Sequence, residues 1–308
     1  MTLKNKIMSA INRRHFLYFT TALMGSVGIK TIAAAKQAVP NQRTVVLGQI
    51  GLSFYAVVGA VVQSVLETLG HRVDVKQGDH AEIFPVLGRG EVDLLVAAWL
   101  PGAHGPYWEQ YQNQAMELGT LYEDACLFWA VPEYIPQTAV NSVEDLLNSE
   151  VIAKMTKTIQ GIGPSSGLMR GSSQMMQAYG LQQAGYTLRP GTAKEWIDAF
   201  EAAVAEERWE IVPLWQPQFL NRAYQVRPLQ EPKGLLGGKD RAVLVVHQDF
   251  ERKFPPRTVA VLKRMYLGLD AVTEMDYQVN VAGMTPKEAA IAWMSQNSKQ
   301  VESWMAQE

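Results

Sequence analysis

The chain is poor in the residues that covalent and metal chemistry need. Its 308 residues include one cysteine, Cys126, so no disulfide can form within it. Beside Leu127-Phe128-Trp129 that thiol reads as an inert core residue. The five histidines are scattered, without the spacing that gathers ligands on a metal. No glycine-rich phosphate loop occurs, so no cofactor is expected. Charge of one sign is missing too. With 28 Lys and Arg against 30 Asp and Glu, the formal net charge is −2, which leaves no basic footprint for nucleic acid or an anionic membrane. No run beyond the first 35 residues approaches the roughly 20 consecutive apolar residues of a membrane span.

Residues 1–35 read as a leader and not as part of the fold. Lys4, Lys6, Arg13 and Arg14 form a basic start, Phe16–Ile29 is a short apolar stretch, and Ala33-Ala34-Ala35 supplies the small residues a signal peptidase needs. Asn12-Arg13-Arg14-His15-Phe16-Leu17 is similar to a twin-arginine signal, with Sec export as the other reading. No cysteine stands near the cleavage site for a lipid anchor. The expectation is a soluble, monomeric, periplasmic protein.

Beyond the leader, strand and helix patterns alternate. Thr44–Gln49 is β-branched and bounded by glycines; Ser53 is placed to cap a helix with an apolar face from Tyr55 to Leu69; His71–Gln77 alternates as a second strand. A short helix over Ala81–Leu87 and an apolar third strand over Val92–Ala98 complete a β-α-β-α-β order, which predicts a parallel sheet. Residues 136–230 repeat this grammar, with strands at Thr158–Gly163 and Glu210–Trp215, and Ala242–His247 then leads into helices from Pro256 onward. A chain that leaves one α/β unit, builds a second and returns makes two lobes with a cleft. The expected lobes are 41–135 with 233–308, and 136–232.

Two stretches share one design. EVDLLVAAWLPGAH (91–104) and WEIVPLWQPQF (209–219) each run from an apolar segment into a tryptophan, with proline two positions later: Trp99-Leu100-Pro101 and Trp215-Gln216-Pro217. Ligands of open α/β sheets bind just beyond such strand ends.

Here the chain resembles the substrate-binding proteins of ABC importers for glycine betaine, proline betaine, choline and related compatible solutes. The resemblance rests on AAWLPGAH (97–104), VPLWQPQF (212–219), GIGPSSGLM (161–169) and KQGDHAEIFPVLGRGEVD (76–93), and spans nearly all of the chain after the leader. It implies a two-lobed periplasmic-binding-protein fold (type II), each lobe a parallel-rich sheet flanked by helices. It also implies a box of tryptophans around a quaternary ammonium, with Trp99 and Trp215 at two box positions, and an ABC permease as partner. The chain departs from the family at two points. Leu52 or Phe54 stands where a tryptophan is usual near the first strand–helix turn, and Gln218 stands where histidine is common.

A trimethylammonium group has no N–H, so aromatic faces must recognise its charge. Phe54 or Tyr55 is the expected third wall; packing beneath the helix is the other reading. Ser165, Ser166 and Gly167 lie in a turn before a helix, where free N–H groups and the helix dipole suit a carboxylate. His104 either donates to that carboxylate or stabilises its own loop.

The same turn, Gly163-Pro164-Ser165-Ser166-Gly167, is a formal G-x-S-x-G, and Ser165 with Asp198 or Asp240 and His247 would make a hydrolase triad. Against that alternative, His247 ends an apolar strand and Pro164 is awkward in a strained elbow. The reading favoured by the sequence is a non-enzymatic binding protein that passes a quaternary ammonium solute to an ABC permease. Glycine betaine leads choline, carnitine and proline betaine; a stand-alone sensor is the remaining alternative.

Overall fold

In the computed structural model residues 43–306 are described; the leader lies outside them. The chain opens β1 (Thr44–Ile50), α1 (Ser53–Thr68), β2 (Arg72–Gly78), α2 (His80–Gly88), β3 (Leu94–Leu100), α3 (Gly105–Tyr111) and β4 (Ala115–Pro132). A 3₁₀ turn at Val143–Leu147 leads to α4 (Ser149–Lys154), β5 (Thr158–Gln160), α5 (Gly167–Ala178), β6 (Thr187–Arg189), α6 (Ala193–Ala205), β7 (Val212–Gln216), α7 (Leu220–Ala223) and β8 (Val226–Pro228). The remainder is β9 (Asp240–His247), α8 (Phe250–Lys253), α9 (Pro256–Arg264), α10 (Leu269–Asn280), α11 (Pro286–Gln296) and α12 (Ser298–Met305).

The main sheet runs β2-β1-β3-β9-β4-β7, with β8 also on β4, and a separate small sheet pairs β5 with β6. The β-α-β-α-β start gives parallel β2-β1-β3, and β5-β6 is parallel as well. The joins are antiparallel: β9 inserts between β3 and β4, and β7 and β8 pair with the far half of β4. The sheet is therefore mixed. β4 is one continuous 18-residue strand. Its polar middle is absorbed by register shifts ending at Ala125, with Asp124 in the left-handed region at φ 61°.

Local chemistry explains most element ends. Asp79 and Glu82 form a capping box on α2, as Thr192 and Glu195 do on α6. Ser53 does not cap α1. The cap is extended Leu52, without a side-chain hydrogen bond, and Ser53 is already helical. Its hydroxyl is occupied by partners on α10 instead. β3 is buried over its whole length, as an inner strand covered on both faces must be. Within it Ala97 takes φ 59°, and the register on β9 slips between Leu95 and Ala98. That bulge re-aims the chain just before Trp99. Among the described residues no helix is long and apolar enough to cross a membrane.

Candidate ligand-binding site

Both W-x-P stretches sit at strand ends, Trp99 near the end of β3 and Trp215 near the end of β7, and each carries a cis X-Pro peptide bond, at Leu100-Pro101 and Gln216-Pro217. The shared sequence is thus a shared local structure.

Each tryptophan is held from behind. Trp99 donates its indole N–H to the Tyr122 hydroxyl at 2.8 Å and is 2% exposed. Trp215 is 3% exposed and stacks on Trp196 of α6, centroids 4.7 Å apart at 24°. Its indole N–H is buried with no acceptor. Phe54, in the first turn of α1, lies between the two, 5.6 Å from Trp99 and 5.8 Å from Trp215, with both rings tilted to it. Tyr55 adds a fourth ring, 6.4 Å from Trp99.

The loop after β3 is locked to its own strand. The His104 N–H donates to the Trp99 carbonyl at 2.9 Å, and the Trp99 N–H donates to His104 Nδ1 at 2.9 Å. An Nδ1 that accepts a backbone N–H is unprotonated, so the proton of the neutral ring sits on Nε2. Nε2 lies 3.5 Å from the Tyr55 hydroxyl. Burial drives the His104 pKa well below its ordinary value, and His80 and Arg170 push the same way, so the ring is uncharged. Asp240 completes the loop, accepting the Gly102 and Ala103 N–H groups at 2.6 and 2.9 Å.

Phe54, Tyr55, Trp99, Ala103, His104 and Trp215 line a small cavity together with Leu52, His80, Leu127, Ile162, Ser166, Gly167 and Leu168. Of the expected residues, Trp99, Trp215, Phe54, Tyr55, His104, Ser166 and Gly167 meet here. Ser165 does not line this cavity. It lines a wider outer chamber that shares Leu52, His80 and Ile162 with it. Ser166 caps α5, its hydroxyl oxygen accepting the Met169 N–H at 3.2 Å. Gly167 is required by close approach, since a Cβ there would lie 2.7 Å from the Ala103 carbonyl oxygen. Tyr107 donates to the Ser165 carbonyl at 2.8 Å and Arg170 to the Ala103 carbonyl at 2.9 Å, so loop and turn are clasped together.

Sequence reasoning missed His80. It lines both cavities, its ring 5.2 Å from that of His104, and burial lowers its pKa to about 4. The signal was the QGDH turn, where Asp79 caps α2 and sets His80 at its first position. The unusual Gln218 does not line the cavity; its side-chain oxygen accepts the Leu220 N–H at 2.6 Å.

The hydrolase alternative finds no machinery. Among the described residues the Ser165 hydroxyl is buried without a hydrogen-bond partner, so none of them holds a base within reach of it. Asp240 is committed to the loop, Asp198 pairs with Lys194 at 2.6 Å on an exposed helix face, and His247 Nδ1 accepts the Asp249 N–H at 3.2 Å. What the site provides is an apolar, aromatic, uncharged enclosure.

Known proteins agree with that chemistry. Residues 43–296 match the family described as the substrate binding domain of the ABC-type glycine betaine transport system. The glycine betaine/carnitine transport binding protein GbuC of Listeria monocytogenes is 23% identical over 147 residues, a match that spans 48% of each chain, or about half the length of that relative. The fold superposes on lactococcal OpuAC, solved closed with glycine betaine, at a TM-score of 0.77 and 26% identity, covering 86% of this chain and 100% of that one. It superposes equally on the glycine betaine/L-proline-binding protein ProX of Borrelia burgdorferi, at a TM-score of 0.78 and 21% identity, covering 86% and 97%. The architecture is accordingly the two-lobed α/β one of periplasmic binding proteins. Family members are not enzymes; they bind small quaternary ammonium solutes and work with ABC permeases. From residue 43 to residue 296, therefore, this chain belongs to the family of substrate-binding domains of ABC-type glycine betaine transporters.

Proposed function

We propose that this protein captures a zwitterionic quaternary ammonium compound, glycine betaine first, between Trp99, Trp215, Phe54 and Tyr55, and delivers it to an ABC permease. The observation that carries the choice of ligand is the absence of formal charge among the cavity-lining residues, whose two ionisable histidines both have lowered pKa values. A quaternary ammonium without a counter-charge, such as choline, would lose its hydration there and gain only aromatic faces, each contributing up to about 2 kcal/mol when desolvated. A betaine brings its own carboxylate, and its net charge of zero matches the enclosure. That carboxylate finds neutral donors in the His104 Nε2–H and in the unpartnered Trp215 indole N–H.

Burial of both tryptophans favours capture by closure. The lobes, 41–135 with 233–308 and 136–232, would close so that β3 and β7 supply one wall each, and ligand would stabilise the closed state through its differential affinity for it. Export through the leader would place the protein in the periplasm, where the permease receives its cargo.

The test is calorimetric titration with glycine betaine, choline, carnitine and dimethylglycine. Glycine betaine is expected to bind tighter than choline. In Trp215→Phe, which keeps an aromatic face and removes the N–H, glycine betaine should lose more affinity than choline does. Choline binding as tightly as glycine betaine would refute the zwitterion reading.

A further inference from the structure

Beneath the aromatic cavity lies a carboxylate that touches no ligand surface. Asp276, on α10, is fully buried. One of its oxygens accepts the Phe219 backbone N–H at 2.8 Å, and the other accepts the Asn280 amide at 3.0 Å. The Ser53 hydroxyl bonds to the same carboxylate, and the Asn280 amide also reaches the Ser53 oxygen at 3.0 Å.

These partners frame the cavity. Phe219 lies in the turn directly after Trp215, and Ser53 directly precedes Phe54 and Tyr55. The charge of Asp276 also acts on Tyr122, whose hydroxyl accepts the Trp99 indole N–H. Two stretches far apart in sequence, which together carry Phe54, Tyr55 and Trp215, converge on one carboxylate.

Asp276 is an expensive way to join them. Burial raises its carboxyl to about 6, against hydrogen bonds from Ser53, Phe219 and Asn280 that each lower it. Among the described residues, the elements around it supply no cation to offset the burial. α1 presents the Ser53 hydroxyl and β4 the Tyr122 phenol, while Arg222 of α7 is already paired with Glu274 on α10. A neutral side chain of the same shape would cost less to bury. Three donors aimed at one point from two separate stretches and from α10 itself, however, need a group that only accepts.

We propose that Asp276 is a positioning residue for the ligand cavity, tying the turn after Trp215 to the first turn of α1 so that Phe54, Trp99 and Trp215 enclose one space. It rests on the proposed aromatic cage, but half of its test involves no ligand. Asp276→Asn keeps the shape, removes the charge and sets a donor against donors. Glycine betaine affinity at neutral pH is expected to fall by about tenfold or more, the scale of losing a charge-assisted hydrogen bond that orients a binding group. The melting temperature should change little, because loss of the buried charge offsets the cost of a donor left facing donors.

Without ligand, hydrogen exchange should quicken at residues 53–58 and 216–222 together, and not in β1 or β2. Asn280→Ala, which leaves the carboxylate in place, should show a weaker version of the same pattern. Unchanged affinity, unchanged exchange in those two segments, or affinity and melting temperature lost together would each overturn the proposal. If the unaltered protein bound no glycine betaine, the cage reading would fail, and the exchange measurement alone would decide the role of Asp276.

Discussion

Replacing Phe54 by leucine separates two jobs its ring can do. The side chain is 2% exposed and touches Tyr55, Trp99 and Trp215 at centroid distances of 4.0, 5.6 and 5.8 Å. As packing, its space is largely filled by leucine, and the lost aromatic pairs, about 0.5–1.5 kcal/mol each, lower stability without depending on the charge of the ligand. As a wall of the cage it is not replaced, because leucine has no quadrupole to attract a cation. A lost cation–π contact in a desolvated site is worth about 1–2 kcal/mol, or roughly 5- to 30-fold in affinity. Alanine would be a poorer probe, since a cavity of that size costs about 3–5 kcal/mol and blurs the two effects. The assay is calorimetry with glycine betaine beside 3,3-dimethylbutanoate, its carbon isostere, which has the same shape without the positive charge. Phe54→Leu should weaken the charged ligand and leave the isostere's affinity close to its starting value. An equal loss for both, or no loss for either, would show that Phe54 only packs under α1 and that the tryptophans alone read the charge.

The geometry of the loop and of the histidines sets further outcomes. Burial raises the Asp276 pKa to about 6 and lowers that of His80 to about 4, so glycine betaine affinity should weaken in two steps as the pH falls, first below about 6 as the Asp276 carboxylate is neutralised and again near 4 as His80 gains a proton, placing a positive charge beside the ammonium. The unfolded chain takes up that proton near its ordinary value of about 6.5. The unfolded state then binds more protons, so stability should decline from about pH 6.5 towards pH 4, by up to about 3 kcal/mol from this group, and His80→Gln should flatten that slope in thermal unfolding. Gly167→Ala should lower both melting temperature and affinity, at about 1–3 kcal/mol for the overpacking, since its Cβ would meet the Ala103 backbone 2.7 Å away. Gly105→Ala, with nothing within 4 Å of the added carbon, is the control expected to change neither.

Much of the site was legible along the chain because its main devices are local. An apolar strand, a tryptophan and a proline two positions on were visible twice, and both occurrences contribute a ring to one cavity. The helix caps at Asp79 and Thr192 were likewise written in residues three apart. What escaped notice was relational. Ser53 looked like a cap because serine before an apolar helix usually is one, yet its hydroxyl is claimed by Asp276 and Asn280, more than two hundred residues away. Ser165 and Ser166 looked equivalent, and a single residue of turn geometry sends one to the outer chamber and the other to the cap of α5. His80 was signalled only by the QGDH turn, whose Asp79 caps α2.

The sequence by itself determined the order of strands and helices, the two strand-end tryptophans and the family, because hydrophobic period, turn residues and strand-end placement act within a dozen residues. Tertiary structure decided that β9 would separate β3 from β4, that Phe54 would be the ring between Trp99 and Trp215, and that both cavity histidines would be neutral. Those outcomes depend on burial and on contacts between distant segments, and burial is a property of the packed molecule that no short stretch of chain possesses.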